Sequence, residues 1–273
     1  MKLVYNSIIN ILENNLSRSN IGARKRKSPR DHIFTLYSVM SEILNRKEPL
    51  GLVFYDLSQA FDSLWVEQTL LDCYDNGITN NLLNVLYEIS KSANIFVKTP
   101  VGVSDSREIT DTIMQGESVS SILCTNSVDK ISKDCPLKTY EYRGKVNVPK
   151  MGFVDDVVDV NKCGLPTKEM NDYTTAAINK RKLQFNIDKC VRIHVSKKEN
   201  KKPQTCANLF VDKWESVKVV NGSKVTLKDV YKGRVSIKTV QSHLYLGDTV
   251  TSDMSNFLNI KSRLSKGQAV LQI

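Results

Sequence analysis

GFVDDVVDV, residues 152–160, sets two aspartates between two short apolar arms. The pattern predicts a tight β-hairpin with Asp155 and Asp156 at its tip. Apolar arms of this kind are normally buried, and a buried carboxylate without a partner is costly. Asp-Asp pairs are also frequent in ordinary turns, so the pair needs a second element to carry meaning. LGLVFYDL (50–57) supplies one: a compact apolar run with β-branched and aromatic residues that ends in an acid, Asp56. It reads as a buried strand. Three acids delivered by two strands suit a divalent cation, because magnesium takes a few carboxylates and leaves room for phosphate oxygens. Two such ions about 3.5–4 Å apart can hold the attacking and leaving oxygens of a phosphoryl displacement.

Working outward, residues 1–17 carry Leu3, Val4, Ile8, Ile9, Leu12 and Leu16 at helical spacing. A basic loop follows, with five cations between Arg24 and Arg30. Asp31, just after Pro29, is placed to start a helix whose apolar positions run from Ile33 to Leu44, and Pro49 blocks its continuation. Helices are predicted over Ser63–Cys73, stopped by Asn76-Gly77, then from Ile78, near 118–132, and from Glu169. Residues 94–113 alternate like a strand pair, FNIDKCVRIHV resumes strand character, and 197–206 form a charged connector. Asn221-Gly222 is a strong turn signal within a hairpin near 208–232. The chain closes on a strand, HLYLGDTVTS, and a basic helix. Asp159 reads as solvent-facing or turn-stabilising.

The 273 residues suit one large or two small domains, and 41% hydrophobic content is enough for a core. Thirty-nine Lys and Arg against 29 Asp and Glu leave +10, a balance that attracts polyanions. Six cysteines form no C-x-x-C pair and the three histidines lie away from them, which argues against structural zinc. Reduced thiols and a polar N-terminus point to an intracellular protein, nucleus or cytoplasm unresolved. No apolar run approaches the ~20 residues that span a bilayer, so no membrane is expected.

Five segments in order carry a resemblance. VFYDLSQAFDSLWVEQTLL, IMQGESVSSILC, GFVDDVVDV, KRKLQFNIDKC and HLYLGDTV resemble the successive catalytic blocks of non-LTR (LINE-like) retrotransposon reverse transcriptases. Each is weak to moderate alone; their order and spacing, from about residue 20 to the C-terminus, make the set specific. The resemblance implies an α+β fold, a right-hand polymerase palm with an antiparallel sheet backed by helices, partial fingers and the start of a thumb. Residues 1–48 would be partial fingers, 49–196 the palm, 197–240 a connector and inserted hairpin, and 241–273 the primer-proximal strand and thumb start. It implies an RNA-directed DNA polymerase that adds deoxynucleotides to a primer 3′-hydroxyl with two Mg2+ ions, or Mn2+. RNA template, DNA primer and dNTP would be the partners, and other domains of a longer retroelement polyprotein would be missing.

Roles carry over residue by residue. Asp56, Asp155, Asp156 and the Leu57 backbone carbonyl would hold metal. Phe61 would crowd a ribose 2′-hydroxyl; its alternative is a core aromatic. Gln115 and Gly116 would lie under the nucleotide, and Lys189 near the departing pyrophosphate. Arg24, Arg26 and Lys27 would meet template or primer, and Tyr245, Leu246 and Gly247 the primer end. The chain departs from the pattern at Met114 and Ser121, where prolines are usual, and at Val154, where alanine is common. The lysines at 197, 198, 201 and 202, with Lys261, Arg263 and Lys266, could follow nucleic-acid backbones or be solvated surface. The alternative to the enzyme is a truncated or inactive palm that only binds nucleic acid.

Overall fold

The computed structural model describes residues 2–58, 60–110, 119–148, 150–196, 208–221 and 224–255. The expectations for Gln115 and Gly116, for the 197–206 connector, for Gly222 and for the basic C-terminal helix lie outside them. The helices are α1 (Lys2–Asn15), α2 (Pro29–Arg46), α3 (Ala60–Ser63), α4 (Val66–Asp75), α5 (Asn80–Lys91), α6 (Ser120–Lys133) and α7 (Leu165–Lys180). The strands that matter here are β1 (Leu50–Ser58), β2 (Met151–Phe153), β3 (Asp156–Lys162), β4 (Gln184–Phe185) and β5 (Val191–Val195). They are followed by β6 (Phe210–Asn221), β7 (Lys224–Ser236), β8 (Lys238–Val240), β9 (Ser242–Tyr245) and β10 (Asp248–Thr251).

One sheet organises the molecule, in the order β8-β5-β1-β3-β2, with β4 pairing the end of β1. Its pairs are antiparallel except β5 with β8, which run parallel. The expected antiparallel sheet is therefore present, and β8 adds one parallel edge strand: the chain leaves β5, forms the β6–β7 ribbon and re-enters at the edge in the same direction. The Leu50–Tyr55 run of β1 is without polar side chains, apart from the Tyr55 hydroxyl, because both of its faces are covered. Val53, Tyr55 and Leu57 belong to a core that includes residues of α1, α4, α6 and α7. Leu50, Leu52 and Phe54 belong to a second core with α2, the small hairpin 140–148 and Tyr245.

Local chemistry explains the element ends. Ser28 caps α2: its hydroxyl accepts from the Arg30 amide at 3.3 Å while the Ser28 amide donates to Asp31 Oδ2 at 2.9 Å. The helix stops at Lys47, which turns left-handed at φ 57°, two residues ahead of Pro49. The helix expected over Ser63–Cys73 is broken at Leu64–Trp65 into α3 and α4. Tertiary packing decides this: Leu64 is buried, and Lys182 Nζ sits 4.1 Å over the Trp65 ring. The expected hairpin near 208–232 is longer, a ribbon paired from Phe210↔Ser236 to Asn221↔Lys224.

Asp159 is not solvent-facing. Strand alternation turns it to the helix-covered side of β3, where it is 2% exposed and pairs with Lys150 Nζ at 2.6 Å. Tyr55 and Thr174 hydroxyls also donate to Asp159, at 3.2 and 2.9 Å. A second buried pair joins Asp72 of α4 to Arg181 beyond α7, both contacts being 3.1 Å.

Candidate active site

The acids meet where β1 and β3 end together. Asp56 lies directly opposite Asp156 in the ladder, so both carboxylates leave the same face of the sheet. Phe153 pairs with Asp156, which makes Val154–Asp155 the two-residue turn between β2 and β3. Val154 has φ 58°, a conformation that β-branched residues seldom adopt and that costs about 1–3 kcal/mol. The surroundings hold it there. The Ile21 amide donates to Gly152 O at 3.0 Å and the Gly152 amide to Ser19 O at 3.1 Å. A Cβ on Gly22 would stand 2.4 Å from the Val154 amide nitrogen, so only glycine lets this loop press on the turn.

Excess negative charge gathers at this turn. Burial, aided by Asp155 and Asp56, pushes the Asp156 carboxyl up to about 7. Asp155 is also raised, chiefly by burial, with its own backbone hydrogen bond and Lys189 working the other way. Lys189 is the near cation, its Nζ 3.3 Å from Asp56 Oδ1 with most of the side chain in solvent. Asp56, Asp155 and Asp156 bring carboxylate oxygens to this end of the sheet. Among the described residues, no group of three acids, histidines or cysteines is placed to hold a metal ion as it stands.

Asp56 and Asp156 line a cleft of about 330 Å³ with Phe54, Lys189, His243, Leu244 and Tyr245. Tyr245 is buried, its ring 5.2 Å from that of Phe54, and its hydroxyl lies 3.1 Å from His32 Nδ1. Leu246 and Gly247, at φ 49° and 83°, form the two-residue turn of the β9–β10 hairpin. Leu57 is paired with Phe185 and its side chain is in the core. Phe61 lies in α3, half-buried against the core on the helix-covered side, and is not among the cleft residues.

The basic loop divides. Arg26 and Lys27 are exposed, whereas the Arg24 side chain is 6% exposed and bonded within the protein. Its guanidinium meets Glu13 Oε1 at 3.0 Å and the carbonyls of Ser17 and Asn20 at 2.5 and 2.8 Å. Reading the sequence alone does not single out His243 or Gly22. His243 stands two residues ahead of Tyr245 on the same strand face, a period-2 signal that could have placed it in the cleft. Nothing local marks Gly22, because the turn it supports lies far along the chain.

No family model matches the chain, and no curated protein matches its sequence. Solved structures do match. An apo telomerase from Candida tropicalis, truncated from its C-terminal domain, aligns with TM-score 0.52 and 13% identity over 92% of this chain and 44% of that one. A second apo telomerase from Candida tropicalis gives 0.52 and 14%, over 85% and 40%. Telomerase from Candida albicans, in complex with a fragment of telomeric RNA, gives 0.50 and 16%, over 73% and 34%. The chain shares the fold of these telomerase structures. The chain spans less than half the length of each of these telomerases. In this chain the cleft lies between the strand-borne aspartates and the β9–β10 hairpin.

Proposed function

We propose that this chain is a polymerase palm of non-LTR retroelement type, an RNA-directed DNA polymerase that extends a primer 3′-hydroxyl with deoxynucleotides. One observation carries the reading: Asp56 and Asp156 stand in register and line one cleft with Tyr245, and Asp155 sits on the strained turn next to Asp156. The five ordered sequence blocks favour the retroelement class. RNA as a partner is supported by the telomerase solved with a telomeric RNA fragment and by the +10 charge of this chain.

The donor chemistry suits a divalent metal, with three hard carboxylates near one another that are not gathered into one ligand set in this structure. Three carboxylates crowd one half-buried turn against a single ammonium, and the Asp156 carboxyl resists ionisation until about pH 7. Asp56, Asp155 and Asp156 would hold Mg2+, which supplies positive charge to the attacking hydroxyl and the triphosphate when bound. The chain's own groups do the positioning. Lys189 exchanges its contact with Asp56 for a triphosphate oxygen, and Tyr245, fixed by His32, sets the wall for the primer end. The exposed Arg26 and Lys27 attract the nucleic-acid backbone.

A second reading, a palm that binds nucleic acid without synthesis, is favoured by the Lys189–Asp56 ion pair, which satisfies one metal-holding acid internally. Primer extension on an RNA template with Mg2+ or Mn2+ separates the two, comparing wild type with Asp155→Asn/Asp156→Asn. The polymerase reading requires incorporation of deoxynucleotides that the double variant loses. It also requires Mg2+ to raise the melting temperature of wild type and not of the variant. A folded wild-type chain that extends nothing with either metal would leave the binding-only reading.

A further inference from the structure

On the outer face of α2, away from the catalytic cleft, lies a groove of about 570 Å³ between that helix and the turn of the 140–148 hairpin. Phe34 stands on it 74% exposed, an unusual position for a large aromatic on a helix that already buries another face. Tyr142 forms the opposite wall, and the Arg143 guanidinium lies 5.2 Å from the Tyr142 ring centre. Ser38, Ser41 and Asn45 follow Phe34 along the helix at intervals of three or four residues, so the floor is a row of small hydrogen-bonding groups.

The charges around the groove are arranged for an anion. Arg30, four residues before Phe34, is exposed and continues from the exposed Lys25, Arg26 and Lys27. Arg46 and Arg143 stand at the other end. The acid that lines the groove, Glu42, is already engaged. Arg46 pairs with it at 2.5 Å, and the Arg143 amide donates to both of its oxygens at 2.9 and 3.0 Å. Asp31, the other acid of this helix face, is held in the Ser28 capping box. Aromatic walls, neutral donors between them and cations at both ends are what a run of unpaired bases requires: stacking for the base faces and charge for the phosphates. A buried apolar peptide would instead need a continuous greasy floor, which the serines and Asn45 interrupt.

We propose that this groove binds single-stranded nucleic acid, with bases stacked on Phe34 and Tyr142 and phosphates held by Arg143 at one end and Arg30 at the other. The site is separate from the aspartate cleft, and it stands or falls without reference to polymerisation. Its test is fluorescence anisotropy of the full chain with labelled oligo-uridine and oligo-thymidine of about 20 nucleotides, longer than one such site spans, alongside a blunt duplex of equal length. Phe34→Ala removes an exposed ring, and Arg143→Gly removes a cation at a position whose φ of 52° suits glycine, so both variants keep the fold. Each is expected to weaken single-strand binding about 5- to 30-fold, in line with the loss of one stacked base or one backbone contact. Arg143→Gly lowers the salt slope by about one. Duplex binding is expected to stay within about twofold. Unchanged single-strand affinity in both variants, with wild-type melting temperatures, overturns the proposal. So does an equal loss for the blunt duplex, which would assign the groove to non-specific charge. Primer extension on a template with a two-nucleotide overhang keeps the outcomes apart, because failure there bears on the aspartate cleft alone.

Discussion

Gly22 and His32 show how single residues far from the aspartates hold their setting. At Gly22 the missing side chain is the functional property, since a methyl group there would collide with the Val154 backbone at 2.4 Å. Gly22→Ala is therefore expected to shift the acidic turn, with about 2 kcal/mol or more of stability lost and primer extension reduced at least tenfold. A thermal melt and a single-nucleotide addition assay read the two effects; an alanine variant with wild-type values in both removes the claim that this contact shapes the turn. His32 works differently. Its Nε2 lies 2.8 Å from Ser19 O, an acceptor only, so that nitrogen carries the proton and Nδ1 accepts from the Tyr245 hydroxyl. Burial lowers the His32 pKa to about 4, with Ser19 and Asp31 opposing. The unfolded value is ~6.5, so the folded chain prefers the neutral ring. The stability this contributes is present above about pH 6.5 and is lost as pH falls toward 4, on the order of 3 kcal/mol in all. Melting temperature measured from about pH 7.5 to 4.5 is expected to fall less steeply for His32→Gln, which cannot titrate. Parallel curves for the two proteins would contradict this.

At the scale of elements, α7 is fastened to the sheet by charge as well as by apolar packing. Lys150, Asp159, Thr174 and Tyr55 form one buried polar cluster between β1, β3 and α7. Removing one partner strands the other charge, so Lys150→Met is expected to cost about 3–5 kcal/mol by denaturant unfolding. Lys150→Met/Asp159→Asn should recover part of it, because the asparagine amide keeps a hydrogen-bonding group for Tyr55 and Thr174 without the charge. A double variant no more stable than Lys150→Met would mean that packing, not charge, sets the loss. The elements themselves are readable along the chain: apolar runs, the Asn76-Gly77 stop and Asp31 after Pro29 are local signals, although the cap itself is Ser28 with Asp31 three residues on. Asp159 defeats that reading because its setting is not local. Counting parity from Asp156 places it on the opposite face, yet only the course of α7 makes that face the buried one. The same limit applies to Arg24. Five cations stand together in the sequence, and nothing local says which one turns inward to Glu13.

Among the described residues, a closely packed sheet with its helices carries a long ribbon, β6–β7, that leaves it. The base of the ribbon is part of the core: Leu209, Val211 and Ile237 are buried beside α7, and Asn179 Nδ2 meets Asp212 at 2.5 Å. Beyond the irregularity at Lys213/Trp214 the strands pair with each other, Trp214 against Tyr231, and Ser216, Val217, Lys218 and Lys228 are exposed. A lone two-stranded ribbon is marginally stable, so its outer part adds little to the stability of the rest. Its connection to the cleft is short but indirect, since β8 joins the far edge of the sheet before β9 brings His243 and Tyr245 to the aspartates. Replacing Trp214–Tyr231 by Asn-Gly, with the base left intact, is accordingly expected to shift the melting temperature by no more than about 3 °C. Single-nucleotide addition should stay within about twofold of wild type, because every cleft residue keeps its support. A large loss of stability would show that the ribbon braces the core through α7. Lost addition in a stably folded variant would instead place the ribbon in the path of the substrate.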